Sequence, residues 1–206
     1  AHLRTVGIFP KKGKSWSSAS TFTAAPTATS LTSAGGKRNR FVISLIIIIF
    51  AKDLTKFMNM VYKAIDIAHK LIAMAQRDEA NGGELLTNLK LQKLLYYQQG
   101  FHLASFGTPL FKEDIEAWMY GPVVPCIYDH FRKYGAEGLQ FDGEIISLTD
   151  PEEELFAQVY DSFRDFSAIG LMNRTHKEKP WLDSYPHDRG TVIDQNLMKE
   201  YFKTQF

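Results

Sequence analysis

Six histidines (His2, His69, His102, His130, His176 and His187) and one cysteine, Cys126, are the side chains best suited to metal binding or nucleophilic chemistry. Their spacing supports neither, because no H-x-x-x-H pair occurs and no Cys/His set has zinc-ligand spacing. His130 falls one helical turn after Cys126 and could serve as its base. Nothing nearby offers an oxyanion site, so Cys126 reads as a small buried hydrophobe. His102 and His130 each stand alone in an apolar helical pattern and read as hydrogen-bonded core residues. The run Glu152-Glu153-Glu154 cannot converge on a metal, since adjacent helical residues diverge; acids in a first turn are favoured by the helix dipole. Neither a P-loop nor a dinucleotide-binding glycine pattern is present. The expectation is a protein that is not an enzyme, with no catalytic residues, no metal and no cofactor.

Function must then be argued as a surface. Trp118, Tyr120 and Trp181 either pack in the core or line an exposed groove for a partner, where Trp and Tyr often dominate binding energy. Lys90 and Lys93 read as a solvated helix face. An acidic body narrows the partner. The net charge of +1 sums two unlike parts: residues 1 to 57 hold nine Lys or Arg against one acid, a net +8, and residues 58 to 206 hold fifteen against twenty-two, a net −7. Phosphate backbones need clustered cations, so nucleic acid is a poor partner and a basic protein surface a better one. A single cysteine excludes an intrachain disulfide and fits a cytoplasmic setting.

Residues 1 to 57 begin with a Ser/Thr/Ala/Gly-rich stretch of no period, then the basic Lys37-Arg38-Asn39-Arg40, then the apolar run Phe41 to Ala51. As a helix, that run would span about 16 Å, roughly half a bilayer core. Basic residues before an apolar run resemble a signal peptide, yet no A-x-A-like site follows Ala51. All six methionines lie at or beyond Met58. Residues 1 to 57 are read as disordered or as mis-translated upstream sequence, with the working protein starting at Met58 or Met60. A real flexible extension comes second and a membrane anchor third.

The elements that position the candidate residues are mostly helical. Ile65, Ala68, Leu71, Ile72 and Ala75 predict a helix over 61–77 that exits near Asn81-Gly82-Gly83. Thr87 or Asn88 caps the next, with Leu91, Leu94, Leu95, Gln98, Phe101 and His102 near one face and Lys90, Lys93 and Tyr97 on another. Gly100 predicts close approach of a neighbour, and Gly107 with Pro109 stops the helix. Alternation over 111–120 predicts a short strand. It leads through Gly121 and Pro122 to a proline-started helix carrying Ile127, Phe131 and Tyr134, ending at Gly135. Leu139 to Leu148, centred on Asp142-Gly143, predicts a small hairpin. Thr149 or Asp150 caps a helix with Pro151 in its first turn and Leu155, Phe156, Val159, Tyr160 and Phe163 buried. A shorter helix covers 167–174, and 191–203 forms the last, burying Ile193, Leu197, Met198, Tyr201 and Phe202. The fold class is mainly α: a compact multi-helix single domain with a small β-hairpin or short strands.

The block TNLKLQKLLYYQQGFHLASFGTPLFKEDIEAWMYGPVVPCIYDHFRKYG, followed by THKEKPW and a final helix ending in Tyr201-Phe202, resembles the Panacea domain family of SocA-like antitoxins, which includes GepA-type phage-associated proteins. The resemblance covers about residues 60 to 206, consistent with a domain spanning 58–206. It implies a mainly helical antitoxin that neutralises a cognate protein toxin of a bacterial or prophage system by direct contact, and it supplies no catalytic residues. Delivery of the toxin to an ATP-dependent protease is the alternative, and a DNA-binding autoregulator a further one that the acidic body disfavours. No membrane is involved. The expected contact surface draws on Lys90, Lys93, Tyr97, Trp118, Tyr120, Pro122, His176 and Trp181.

Overall fold

The computed structural model describes residues 61–80, 85–185 and 190–206. The expectations for residues 1 to 57 and for the helix exit at Asn81-Gly82-Gly83 lie outside them. The periodic stretch after Val61 forms α1 (Ala64–Glu79), whose apolar stripe of Ile67, Ala68, Leu71, Ile72 and Ala75 is buried. Thr87 caps α2 (Asn88–Phe106), its side chain accepting from the Lys90 amide, and Gly107 closes the helix at φ 79°. That angle is cheap only for glycine, which explains the stop.

α2 is the centre of the molecule: every residue from Lys90 to Leu103 is buried. The amphipathic pattern read from the sequence, with Lys90 and Lys93 in solvent, is therefore corrected. Their side chains turn inward because neighbours cover the helix on all sides: α1, β2 (Gly121–Val123), α3 (Pro125–Phe131), α4 (Asp150–Phe163), α5 (Ala168–Thr175) and α7 (Gln195–Lys203). With α6 (Lys179–Ser184), these make seven α-helices among the described residues. Gly100 meets its expectation: a Cβ there would fall within the Phe202 ring of α7.

The sheet is small. β1 (Glu116–Trp118) pairs antiparallel with β2, Trp118 opposite Gly121, so Met119 and Tyr120 make the turn. β3 (Thr191–Val192) pairs with the other side of β1, giving the order β2-β1-β3. The predicted hairpin at Leu139 to Leu148 does not form; that segment is irregular and runs along α1 and α4. Its contacts there replace cross-strand pairing: the Phe141 amide donates to Gln76 Oε1 and the Leu148 amide to Glu153 Oε1, both at 2.9 Å.

α4 begins with a reciprocal capping box between Thr149 and Glu152. Glu152 does more than complement the dipole. Its buried carboxylate accepts from the Tyr62 hydroxyl at 2.8 Å and lies 3.2 Å from His102 Nε2, tying the entrance of α1 and the end of α2 to α4. Burial alone would raise this carboxyl, but bonds from Thr149, Tyr62 and His102 outweigh it and hold it below the usual range. His102 is thus the hydrogen-bonded core residue expected, its Nδ1 lying 2.7 Å from the Thr108 carbonyl. His130 is not: it is exposed, with its ring edge against Phe131. Cys126 is exposed as well.

The approach of Phe202 to Gly100 gives a direct test. Gly100→Ala should lower stability by about 1–3 kcal/mol through overpacking, measured by urea unfolding. An unchanged midpoint would contradict the close contact between α2 and α7.

Candidate functional site

The candidate residues divide into a buried scaffold and an exposed tip. Lys90 leaves the group at once: its Nζ donates to the Arg164 carbonyl at 2.6 Å, placing a cation at the C-terminus of α4 where the helix dipole favours it. Lys93, fully buried, donates to the Pro122 carbonyl at 2.8 Å and so holds β2 against α2. Burial pushes its amine down to about 7. Gly121 makes this approach possible. At φ 93°, any Cβ would come within 2.9 Å of Lys93 Nζ and 2.7 Å of Thr175 Oγ1.

Tyr97 is also buried. Its ring stacks on Phe163 at 3.8 Å, and its hydroxyl donates to Glu178 Oε1 at 3.1 Å. Glu178 sits just before α6, and α6 brings Trp181 against the hairpin: the indole N–H donates to the Trp118 carbonyl at 2.9 Å. Trp181 is sandwiched, with His176 stacked on one side at 4.1 Å and Tyr185 on the other at 4.4 Å. The His176 ring is lowered from the ordinary histidine value by burial and by the nearby Lys93.

Lys93, Trp118, Pro122, His176 and Trp181 thus lie around one hairpin, with Tyr97 joined to them through Glu178. Only part of this assembly reaches solvent. Tyr120 and Met119 in the turn are 62% and 63% exposed. Trp118 is half-buried, its ring edge against the exposed Tyr128 and its indole N–H on Glu116 Oε2 at 2.8 Å. Val192 of β3 and Leu182 of α6 are further exposed apolar residues. Met119 and Glu178 were missed in the sequence. Alternation assigns Met119 to the buried side of a strand, but the strand ends at Trp118. Glu178 is camouflaged between Lys177 and Lys179 as one member of a charge run.

No group of three or more His, Cys, Asp or Glu side chains among the described residues could hold a metal ion. Burial raises the Cys126 thiol, the wrong direction for a nucleophile. No helix among the described residues is long and apolar enough to cross a membrane.

Residues 91–182 match the model of the family described as "Antitoxin SocA-like, Panacea domain". That stretch, a little under half of the chain, is similar to SocA-like Panacea domains. The match takes in α2 from Leu91 onward, the hairpin, α3 to α5 and the start of α6. One curated relative is Antitoxin SocA of Caulobacter vibrioides (strain NA1000 / CB15N), 46% identical over 50 residues, which is 24% of this chain and 27% of that protein. The alignment with that relative spans only about a quarter of its length. No solved structure matches the chain. The matched segment therefore coincides with the scaffold described above, and its LQKLLYYQQGFH block is buried.

The buried Lys93 makes stability depend on pH in a defined direction. Between about pH 7 and its ordinary value of 10.5, the unfolded chain keeps a proton on this amine that the folded chain has released. The contribution of Lys93 to folding therefore improves as pH rises through that window. Urea unfolding from about pH 7 to about pH 9 should show this gain in the native sequence, and Lys93→Met should lack it. Equal slopes in both proteins would place the amine in solvent.

Proposed function

We propose that the protein is an antitoxin that neutralises a cognate protein toxin by direct, non-catalytic contact, with residues 58–206 as the working domain. The observation that carries this reading is the exposed apolar tip of the hairpin, mounted on a buried and fully braced scaffold within the segment similar to SocA-like Panacea domains. Met119 and Tyr120 offer an anchor that needs little ordering, because β1, β2, Lys93 and Trp181 already hold its base. Preorganised aromatic anchors of this kind supply much of the energy of protein interfaces. The half-buried Trp118 with Tyr128, and Val192 on the adjacent strand, extend the apolar area.

Lys93 and Tyr97 contribute to this surface by holding it, since their side chains are buried and bond Pro122 and Glu178, whereas Lys90 braces the end of α4. Pro122 and Trp181 act in the same way, and Tyr120 and Trp118 make contact. The excess of acidic residues over 58–206 favours a toxin with a basic surface, first through faster encounter.

The experiment is a growth assay in which the product of the neighbouring open reading frame is induced with and without residues 58–206. Rescue is expected. Tyr120→Ala combined with Met119→Ala should weaken toxin binding at least about 30-fold, the size of a hot-spot loss, while leaving the unfolding midpoint in place. Full-strength binding by this double variant would remove the tip from the interface.

A further inference from the structure

The segment Thr175 to Trp181 holds the hairpin tip from behind. Thr175 packs beneath Gly121, His176 stacks on Trp181, and Trp181 bonds the Trp118 carbonyl. Trp118, which leads into the turn, is thus gripped by this strap. Midway along it sits Glu178, which is 4% exposed. Oε1 of that carboxyl accepts from Tyr97 and lies 3.4 Å from Arg174 Nε. Oε2 is buried without a hydrogen-bond partner among the described residues. A carboxylate so placed has an unsolvated charge, whereas a neutral carboxyl does not.

We infer that Glu178 is the positioning residue of the docking tip, with proton uptake at its carboxyl tightening the tip and proton loss loosening it. This rests on the docking reading above. The groups that face it are Tyr96 and Tyr97 from α2, Arg174 from α5 and Tyr201 from α7. The neighbouring β2 brings no titratable side chain. Burial lifts the Glu178 carboxyl to about 7, against the opposing pull of Arg174, Tyr97 and Tyr96, so the change falls near neutrality. When the proton leaves to solvent, the charge on Oε2 favours withdrawal of Glu178 from its site. Trp181 lies three residues on, in the helix that Glu178 caps, and follows, releasing the Trp118 carbonyl.

The test needs no toxin, so its outcome is separate from that of the docking reading. In the full chain labelled with nitrogen-15, the Trp181 indole N–H is followed as pH is raised through neutrality. A shift with its midpoint near 7 and a roughly tenfold loss of exchange protection are expected. Glu178→Gln, a neutral stand-in for the protonated acid, should keep the protected signal throughout. Lys93→Met should titrate as the native protein does, which separates the two buried groups. Should Glu178→Gln fail to fold, Tyr97→Phe serves instead: removing the hydroxyl that stabilises the carboxylate should move the midpoint upward. A native signal indifferent to pH, a Glu178→Gln signal that titrates unchanged, or an unmoved midpoint in Tyr97→Phe would each overturn the assignment.

Discussion

A helix buried on every side must find partners for each polar side chain it carries, and this constraint organises the whole domain. α2 carries Asn88, Lys90, Gln92, Lys93, Gln98, Gln99 and His102 into the interior. Most of them bond to the backbone of another element. Asn88 reaches the Tyr128 carbonyl, Gln92 the Val124 amide, Lys93 the Pro122 carbonyl, and Gln98 the Phe156 carbonyl. Gln99 both donates to and accepts from Phe111. Unpaired, each such group would cost about 1–3 kcal/mol, so the arrangement specifies position as much as it stabilises.

This changes what the LQKLLYYQQGFH block means. Read alone, its lysines and tyrosine are candidates for partner contact as readily as for fold specification. In the structure they hold the β1–β2 hairpin and α4 in place, and the side chains that meet solvent are those these elements display. Met119 and Tyr120 project from the hairpin because Lys93 fixes β2 beneath them and Trp181 fixes β1 beside them. The family match ends within α6, yet β3 and α7 complete the same scaffold: β3 pairs with β1, and Phe202 fills the space left open by Gly100.

Local signals in the sequence were reliable where a residue's chemistry acts locally. Thr87, Thr149, Gly107, Gly121 and Pro125 mark the boundaries and turns they were expected to mark, since capping and positive φ depend on the residue itself. Non-local outcomes were harder to read. Lys90 and Lys93 look solvated under a helical period, although apolar residues surround them on both sides and leave no continuous polar face. Asp142-Gly143 promises a hairpin, but pairing is decided by which strands meet, and β1 meets β3 from more than seventy residues away. Trp118 and Tyr120 stood between core and groove; the former is half-buried and the latter exposed, because the turn begins directly after Trp118.

The claim that polar residues of α2 are internal braces can be tested without any partner. Reductive methylation of the native protein, read by mass spectrometry, reports which lysine amines meet solvent. The account predicts that Lys90 and Lys93 stay unmodified while the exposed Lys177, Lys179 and Lys203 react, and that all five react after unfolding. Native-state modification of Lys93 at the rate of Lys179 would contradict it.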